Sequence, residues 1–126
     1  GRWNLPLIPC LYTSESRALA LLEFSVNINV YEIRRALSIV TYEVDDGAIL
    51  ELSIPELPGN WKDNLVPKQT QELGTRLLLN PDIPIIKVPS VVVNEEYNYL
   101  INPIGNSGIK ILDIKDFIYD VRVKLK

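Results

Sequence analysis

The apolar positions change period several times along the chain. Residues 7–13, LIPCLYT, form a short apolar run that predicts a strand ending in a turn. RALALLEFSV follows, rich in Ala and Leu, and predicts a helix that ends near Asn27 or Asn29. Ser14 and Ser16 are both suited to cap its start, and Glu15 is placed to meet the helix dipole. Within this helix Leu19, Leu22, Glu23 and Val26 have the i, i+3, i+4, i+7 spacing of a core-facing stripe. Glu23 therefore sets a carboxylate among apolar positions. Burying it without partners costs several kcal/mol, so a cation or hydrogen-bond donor is expected beside it.

Residues 31–37, YEIRRAL, fit either a helical turn or a connecting loop. SIVTYEV (38–44) then alternates and is β-branched, Asp45-Asp46-Gly47 marks a turn, and AILELSI (48–54) reads as a second strand, so a hairpin is expected. PELPGNW (55–61) is a Pro/Gly-rich connection. KQTQELGTRLLL (68–79) returns to a helical pattern with Leu73, Leu77 and Leu78 inward, and Asn80-Pro81 stops it. IPIIKVPSVVV (83–93) reads as buried strand interrupted at Pro89-Ser90, and strands are expected at 98–102, 109–114 and 117–125, with a turn at 104–108. Strands and helices do not alternate regularly, so the pattern predicts an α+β domain with two helices and mostly antiparallel strands rather than an open α/β fold.

A length of 126 residues suits one domain, and 47% apolar with 23% charged residues is ordinary for a globular chain. A net charge of −3 argues against a general nucleic-acid binder, since few phosphate counterions would be released. The small basic clusters, Arg34-Arg35 and Lys124 with Lys126, read as solvated surface. Cys10 is the sole cysteine, so no intrachain disulfide forms; a reducing, cytoplasmic setting fits, and its apolar neighbours suit a buried, inert thiol. Histidine is absent, which removes Ser-His and Cys-His nucleophilic pairs and the commonest zinc ligand. No apolar run reaches the ~18 residues of a membrane span. The chain opens on GRWN rather than Met, and an upstream segment is expected.

The polar residues in apolar settings define the candidate chemistry. Arg2 and Tyr12 precede the first helix closely enough to share a cleft with Glu23; the alternative is that Glu23 sits at the edge of its stripe and reaches solvent past Leu19. Ser90, between Val-Pro and Val-Val-Val, fits a turn whose hydroxyl satisfies local backbone. Asn98 and Asn102 would share one face of a strand. No glycine-rich phosphate loop is present, which disfavours a Rossmann or P-loop site. These residues by themselves define no catalytic class.

Taken in order, GRWN, PCLYTSESRALALLE, TQELG, VPSVVVNEEYNYLINP and the DVRV ending resemble the RES domain, the toxin half of bacterial Xre–RES toxin–antitoxin pairs. The match runs from Gly1 to about Arg122. The resemblance implies an ADP-ribosyltransferase-like α+β fold: a split, mostly antiparallel β-core with a few flanking helices and a cleft for NAD. It further implies one RES-like domain over 1–126, lacking a segment that usually precedes GRWN and helps line the pocket. Matched motif by motif, the family's arginine falls on Arg2, its tyrosine on Tyr12 and its glutamate on Glu23 as the catalytic set. Ser90 and Asn98 join Arg2 and Tyr12 as NAD-binding residues.

The implied activity is NAD degradation by phosphorolysis or hydrolysis. NAD is the substrate, inorganic phosphate a co-substrate in the first case, and no metal is called for. The alternatives are transfer of ADP-ribose to a protein, and a non-catalytic interaction module. Nicotinamide leaves as a good leaving group, so cleavage passes through an oxocarbenium-like ribose that a fixed carboxylate stabilises. On this reading Glu23 serves that role with substrate and Arg2 as partners. Tyr12 stacks on the nicotinamide or ribose, Arg2 binds pyrophosphate or an attacking phosphate, and Ser90 bonds the nicotinamide amide or a phosphate oxygen. The implied partner is a cognate Xre-type antitoxin, with a homodimer as a further assembly and no direct nucleic-acid or membrane contact. One departure stands out: many members have a histidine shortly after the Asn-Pro of the NYLINP block, where this chain has Ile104-Gly105.

Overall fold

A computed structural model of the chain describes residues 1–33, 36–105 and 108–124, with Val30 described for its backbone alone. Arg34, Arg35 and Lys126, and the middle of the 104–108 turn, lie outside the described residues. The fold is α+β, and the described residues form two α-helices and six strands in two sheets.

Strands β1 (Leu11–Ser14), β3 (Ile49–Glu51), β4 (Ile85–Pro89) and β5 (Tyr97–Ile101) form a four-stranded sheet in the order β1-β5-β4-β3. The β1–β5 and β4–β5 pairs are antiparallel, and β3–β4 is parallel. Strands β2 (Ala36–Val44) and β6 (Ile109–Ile118) form a separate antiparallel ribbon with a register shift after Thr41. Helix α1 (Arg17–Asn27) follows β1, and helix α2 (Lys68–Leu78) lies on the crossover from β3 to β4.

The hairpin expected between 38–44 and 48–54 does not form. Asp45 Oδ1 accepts from Gly47 N–H in a 3₁₀ turn that redirects the chain. β2 then pairs along its length with β6, while β3 joins β4. The reason is burial: Leu52 and Leu57, just beyond β3, belong to the main core with Trp61, which a hairpin with the half-exposed β2 would not reach. The two strands expected at 109–114 and 117–125 are one continuous β6, followed by a 3₁₀ turn over Val121–Val123.

The core lies between one face of the four-stranded sheet and α2. Ile86 and Val88 of β4 and Leu100 of β5 meet Leu78, with Leu73 and Leu77 packed alongside. Trp3 and Trp61 complete it, their rings 6.4 Å apart. Thus GRWN is core-building sequence. Gly74 makes room for it: a Cβ there would collide with the backbone carbonyl of Trp3. Beside it Thr75 Oγ1 accepts from Leu5 N–H at 2.8 Å.

Helix α1 is capped by Ser16, whose side chain accepts from Leu19 N–H. Glu15 does not serve the helix dipole as expected: its carboxylate accepts from Tyr97 N–H at the start of β5. The buried side of α1 carries Leu19 and Ser25. Val26, assigned to the inward stripe from spacing, is half exposed. Ser25 donates to Leu21 O and its Oγ lies 2.7 Å from the buried Tyr119 hydroxyl, which ties α1 to the segment after β6. Lys124, read as solvated surface, donates to Ser25 O from the same direction.

Candidate active site

The site grows from one row of side chains on the core-facing side of the sheet. Alternate residues of a strand share a face, and antiparallel register sets Ser14 opposite Asn98 and Tyr12 opposite Leu100. Asn98 in turn lies opposite Val88 of β4. Toward α2 this row is apolar and buried; toward α1 it turns polar with Ser14 and Asn98, and there Glu23 comes down from the helix.

Glu23 Oε1 accepts two hydrogen bonds, 2.6 Å from Ser90 Oγ and 3.0 Å from Asn98 Nδ2. Among the described residues no donor reaches Oε2 and no cation pairs with the carboxylate. The expectation that Arg2 partners Glu23 is therefore corrected. Arg2 instead spends Nη1 on the backbone carbonyls of Trp61, at 2.7 Å, and Asp63, at 2.9 Å. The energetic problem of the carboxylate is met by neutral donors, which hold one oxygen and leave the other for the cleft.

Ser90 is fully buried. Its hydroxyl donates to Glu23 and accepts from Val92 and Val93 N–H, both at 3.1 Å. The break at Pro89-Ser90 is thus a turn closed by the serine, as its residue type suggests. In this geometry the hydroxyl is buried with its donor and both acceptor positions engaged, so it faces Glu23 and the turn rather than the open groove. Asn94, with its amide oriented by its neighbours, donates to Ser90 O at 3.1 Å and accepts from Lys62 Nζ at 2.9 Å, bracing the turn from outside.

Tyr12 keeps its ring partly exposed, while its hydroxyl donates to Asn4 Oδ1 and accepts from Trp3 N–H at 3.0 Å. Asn4 in turn donates to Ile8 O at 2.8 Å. Burial pushes the phenol well above its ordinary range, so Tyr12 presents a protonated ring rather than a base. Cys10, half-buried against the core, has its thiol pushed up to about 11, also by burial, which keeps it protonated and unreactive at neutral pH.

Two lobes of open space meet at this cluster. The larger, about 890 Å³, is bordered by Arg2, Tyr12, Glu23, Val26, Asn64 and Asn98. The smaller, about 540 Å³, is bordered by Tyr12, Ser14, Glu23, Phe24 and Glu32 as well as Asn98. Tyr12, Glu23, Asn27 and Asn98 border both. Each lobe is within the size range of small-molecule sites. Arg2, Tyr12, Glu23 and Asn98 thus converge on one groove, and Ser90 lies behind it. Among the described residues no cluster of three His, Cys, Asp or Glu is placed to hold a metal. No described helix is long and apolar enough to cross a membrane.

Three residues that build this site were not singled out by spacing. Asn4 orients Tyr12, Ser14 contacts Asn98 at 2.6 Å, and Gly74 admits Trp3. Asn4 and Gly74 sit inside GRWN and TQELG; the Asn4–Tyr12 contact spans 8 residues, whereas the role of Gly74 depends on two segments about 70 residues apart meeting in space.

The RES domain model matches residues 1–120. Similar chains include the Prs ADP-ribosylating toxin of Sphingobium sp., 33% identical over 98% of this chain and 80% of that one. A Toxin Res of Yersinia enterocolitica is 30% identical over 98% of this chain and 84% of its own length. A Toxin Res of Pseudomonas putida is 26% identical over 98% and 85%. The order of sequence blocks and the extent of these matches agree, and the chain belongs to the RES domain family.

Proposed function

We propose that the chain is a toxin that consumes NAD by breaking the bond between nicotinamide and ribose. The observation that carries this reading is the half-held carboxylate: Glu23 has Oε1 fixed by Ser90 and Asn98 and lines both lobes of the groove. A rigid anion with one available oxygen is what a developing ribosyl cation needs, because preorganised charge costs no reorganisation as the bond breaks. The C1′–N bond electrons pass to the nicotinamide ring nitrogen, which leaves neutral. C1′ then bonds an oxygen of phosphate or water, and for water the released proton goes to solvent.

The other residues take supporting roles. Arg2 borders the larger lobe and, among the described residues, engages Nη1 alone, so its remaining N–H groups suit the pyrophosphate of NAD or an incoming phosphate. Tyr12 offers a ring face held at its hydroxyl end, suited to stacking. Asn98 holds Glu23 and borders both lobes, so it contacts substrate as well. Ser90 positions Glu23 from behind.

Purified protein is incubated with NAD, with and without inorganic phosphate, and nicotinamide release is followed. Release that depends on phosphate identifies phosphorolysis; release without it identifies hydrolysis. A folded chain that releases none overturns the reading.

The name of the Sphingobium relative favours a second reading, transfer of ADP-ribose to a protein. Labelled NAD with a bacterial lysate then yields a labelled protein band instead of free product. A non-catalytic module is separated by thermal shift: NAD at a hundred times its dissociation constant raises stability by roughly 2.7 kcal/mol, and a module that has lost the site shows no shift. The relatives named Toxin Res favour a cognate antitoxin; we infer that it is of Xre type and acts with this chain in the cytoplasm, where NAD is available. Expression alone then arrests growth, and co-expression with the antitoxin restores it.

A further inference from the structure

Asn98 faces Glu23 with an amide, whose two ends differ in sign. With Nδ2 toward the carboxylate it donates; with Oδ1 there it sets an acceptor against an anion. The structure assigns a positioning role to Ser14, which holds the Asn98 amide in its donating orientation and through it fixes Glu23; the consequence for turnover rests on the NAD-cleaving reading above.

Three observations carry this. Ser14 and Asn98 are direct cross-strand partners on one face of the β1–β5 pair, so their side chains meet without distortion. Ser14 Oγ donates to Asn98 Oδ1 at 2.6 Å, and Asn98 Nδ2 donates to Glu23 Oε1 at 3.0 Å, so the two bonds form a chain in one direction. Finally, Ser14 has no duty at the helix start, because Ser16 supplies the cap. A hydroxyl donating to the amide oxygen also polarises the amide, which strengthens the N–H···carboxylate bond. Removing the hydroxyl leaves Oδ1 without a partner among the described residues and allows the amide to turn.

The test reads the amide and the kinetics separately. In ¹H–¹⁵N spectra of the full chain, the Asn98 side-chain NH₂ pair is identified by its loss in Asn98→Asp. It is expected to be shifted away from free asparagine amides and slow to exchange. Ser14→Ala is expected to move that pair toward the free position. It lowers kcat for nicotinamide release roughly tenfold with KM for NAD little changed, the scale of one lost hydrogen bond. Ser14→Thr, which keeps the hydroxyl and suits a strand, restores both. An Ala variant with unchanged amide signals overturns the assignment, as does a folded Thr variant that fails to restore them. If the unmodified chain releases no nicotinamide, the NAD reading fails on its own, and the amide signals still decide the role of Ser14.

Discussion

Ser90 and Glu23 are 67 residues apart in sequence, yet the serine hydroxyl donates to the carboxylate at 2.6 Å from a fully buried position. Between them stand strands β2 to β4, helix α2 and most of the core. The carboxylate is therefore a product of the whole fold, and its charge and its geometry can be tested apart.

Glu23→Gln removes the charge but keeps an oxygen to accept from Ser90 and Asn98. Stability is expected to stay within about 0.5 kcal/mol, since the donors keep a partner. NAD turnover is expected to fall by roughly a hundredfold to a thousandfold, the scale for one preorganised group aimed at transition-state charge. Thermal melts and nicotinamide release measured on the same preparation check both.

Ser90→Ala removes one donor from Glu23 and the acceptor of two N–H groups, Val92 and Val93. Leaving such groups unpaired in a buried turn costs about 2 kcal/mol. Denaturant unfolding reads this loss directly. Activity is expected to fall further than the folded fraction, because Glu23 is then held by Asn98 alone.

Gly74→Ala should stabilise an isolated helix by about 1 kcal/mol. Here the opposite is expected, because the new Cβ meets the rigid Trp3 carbonyl rather than a side chain that can turn away. The GRWN segment is pushed off α2, carrying Arg2 and Asn4 with it. Trp3 and Trp61, both buried, report the shift as red-moved fluorescence, and NAD binding weakens in the same variant.

The pH dependence at the alkaline end follows from Cys10. Its thiol is raised from 9.0 to about 11, with burial as the largest cause. The folded chain holds this proton more tightly than the unfolded one. Its stabilising effect is complete below pH 9 and is lost as pH rises toward about 11. Denaturant midpoints measured at pH 7, 9 and 11 are expected to fall over the last interval, and Cys10→Ala to reduce that fall. Alkylation of the thiol at pH 7 stays slow until the chain is unfolded.

Local chemistry made several elements readable. Ala and Leu in RALALLEFSV, with serine ahead of it, specify α1 and its cap; the Leu73, Leu77 and Leu78 spacing specifies the inner face of α2; and Ser90 after Pro89 specifies a turn closed by its own hydroxyl. Each of these depends on bonds between near neighbours. Glu23 was visible for a related reason, since a carboxylate on an apolar stripe breaks the pattern around it.

What spacing left undetermined were the partners. Asp45-Asp46-Gly47 encodes a reversal, but whether β2 pairs with β3 or with β6 depends on where Leu52 and Leu57 find their core. A lone carboxylate calls for donors without saying which, and the expected guanidinium gave way to Ser90 and Asn98. Ser14 looked like one of two caps until strand register set it against Asn98. The amino-acid order alone determined the helices, the turns and the residue types at the groove, because these answer to propensity and to contacts within a few positions. Only the tertiary structure decided which strand pairs with which and who holds Glu23, because those choices are made by segments far apart in the chain competing to bury the same apolar surface.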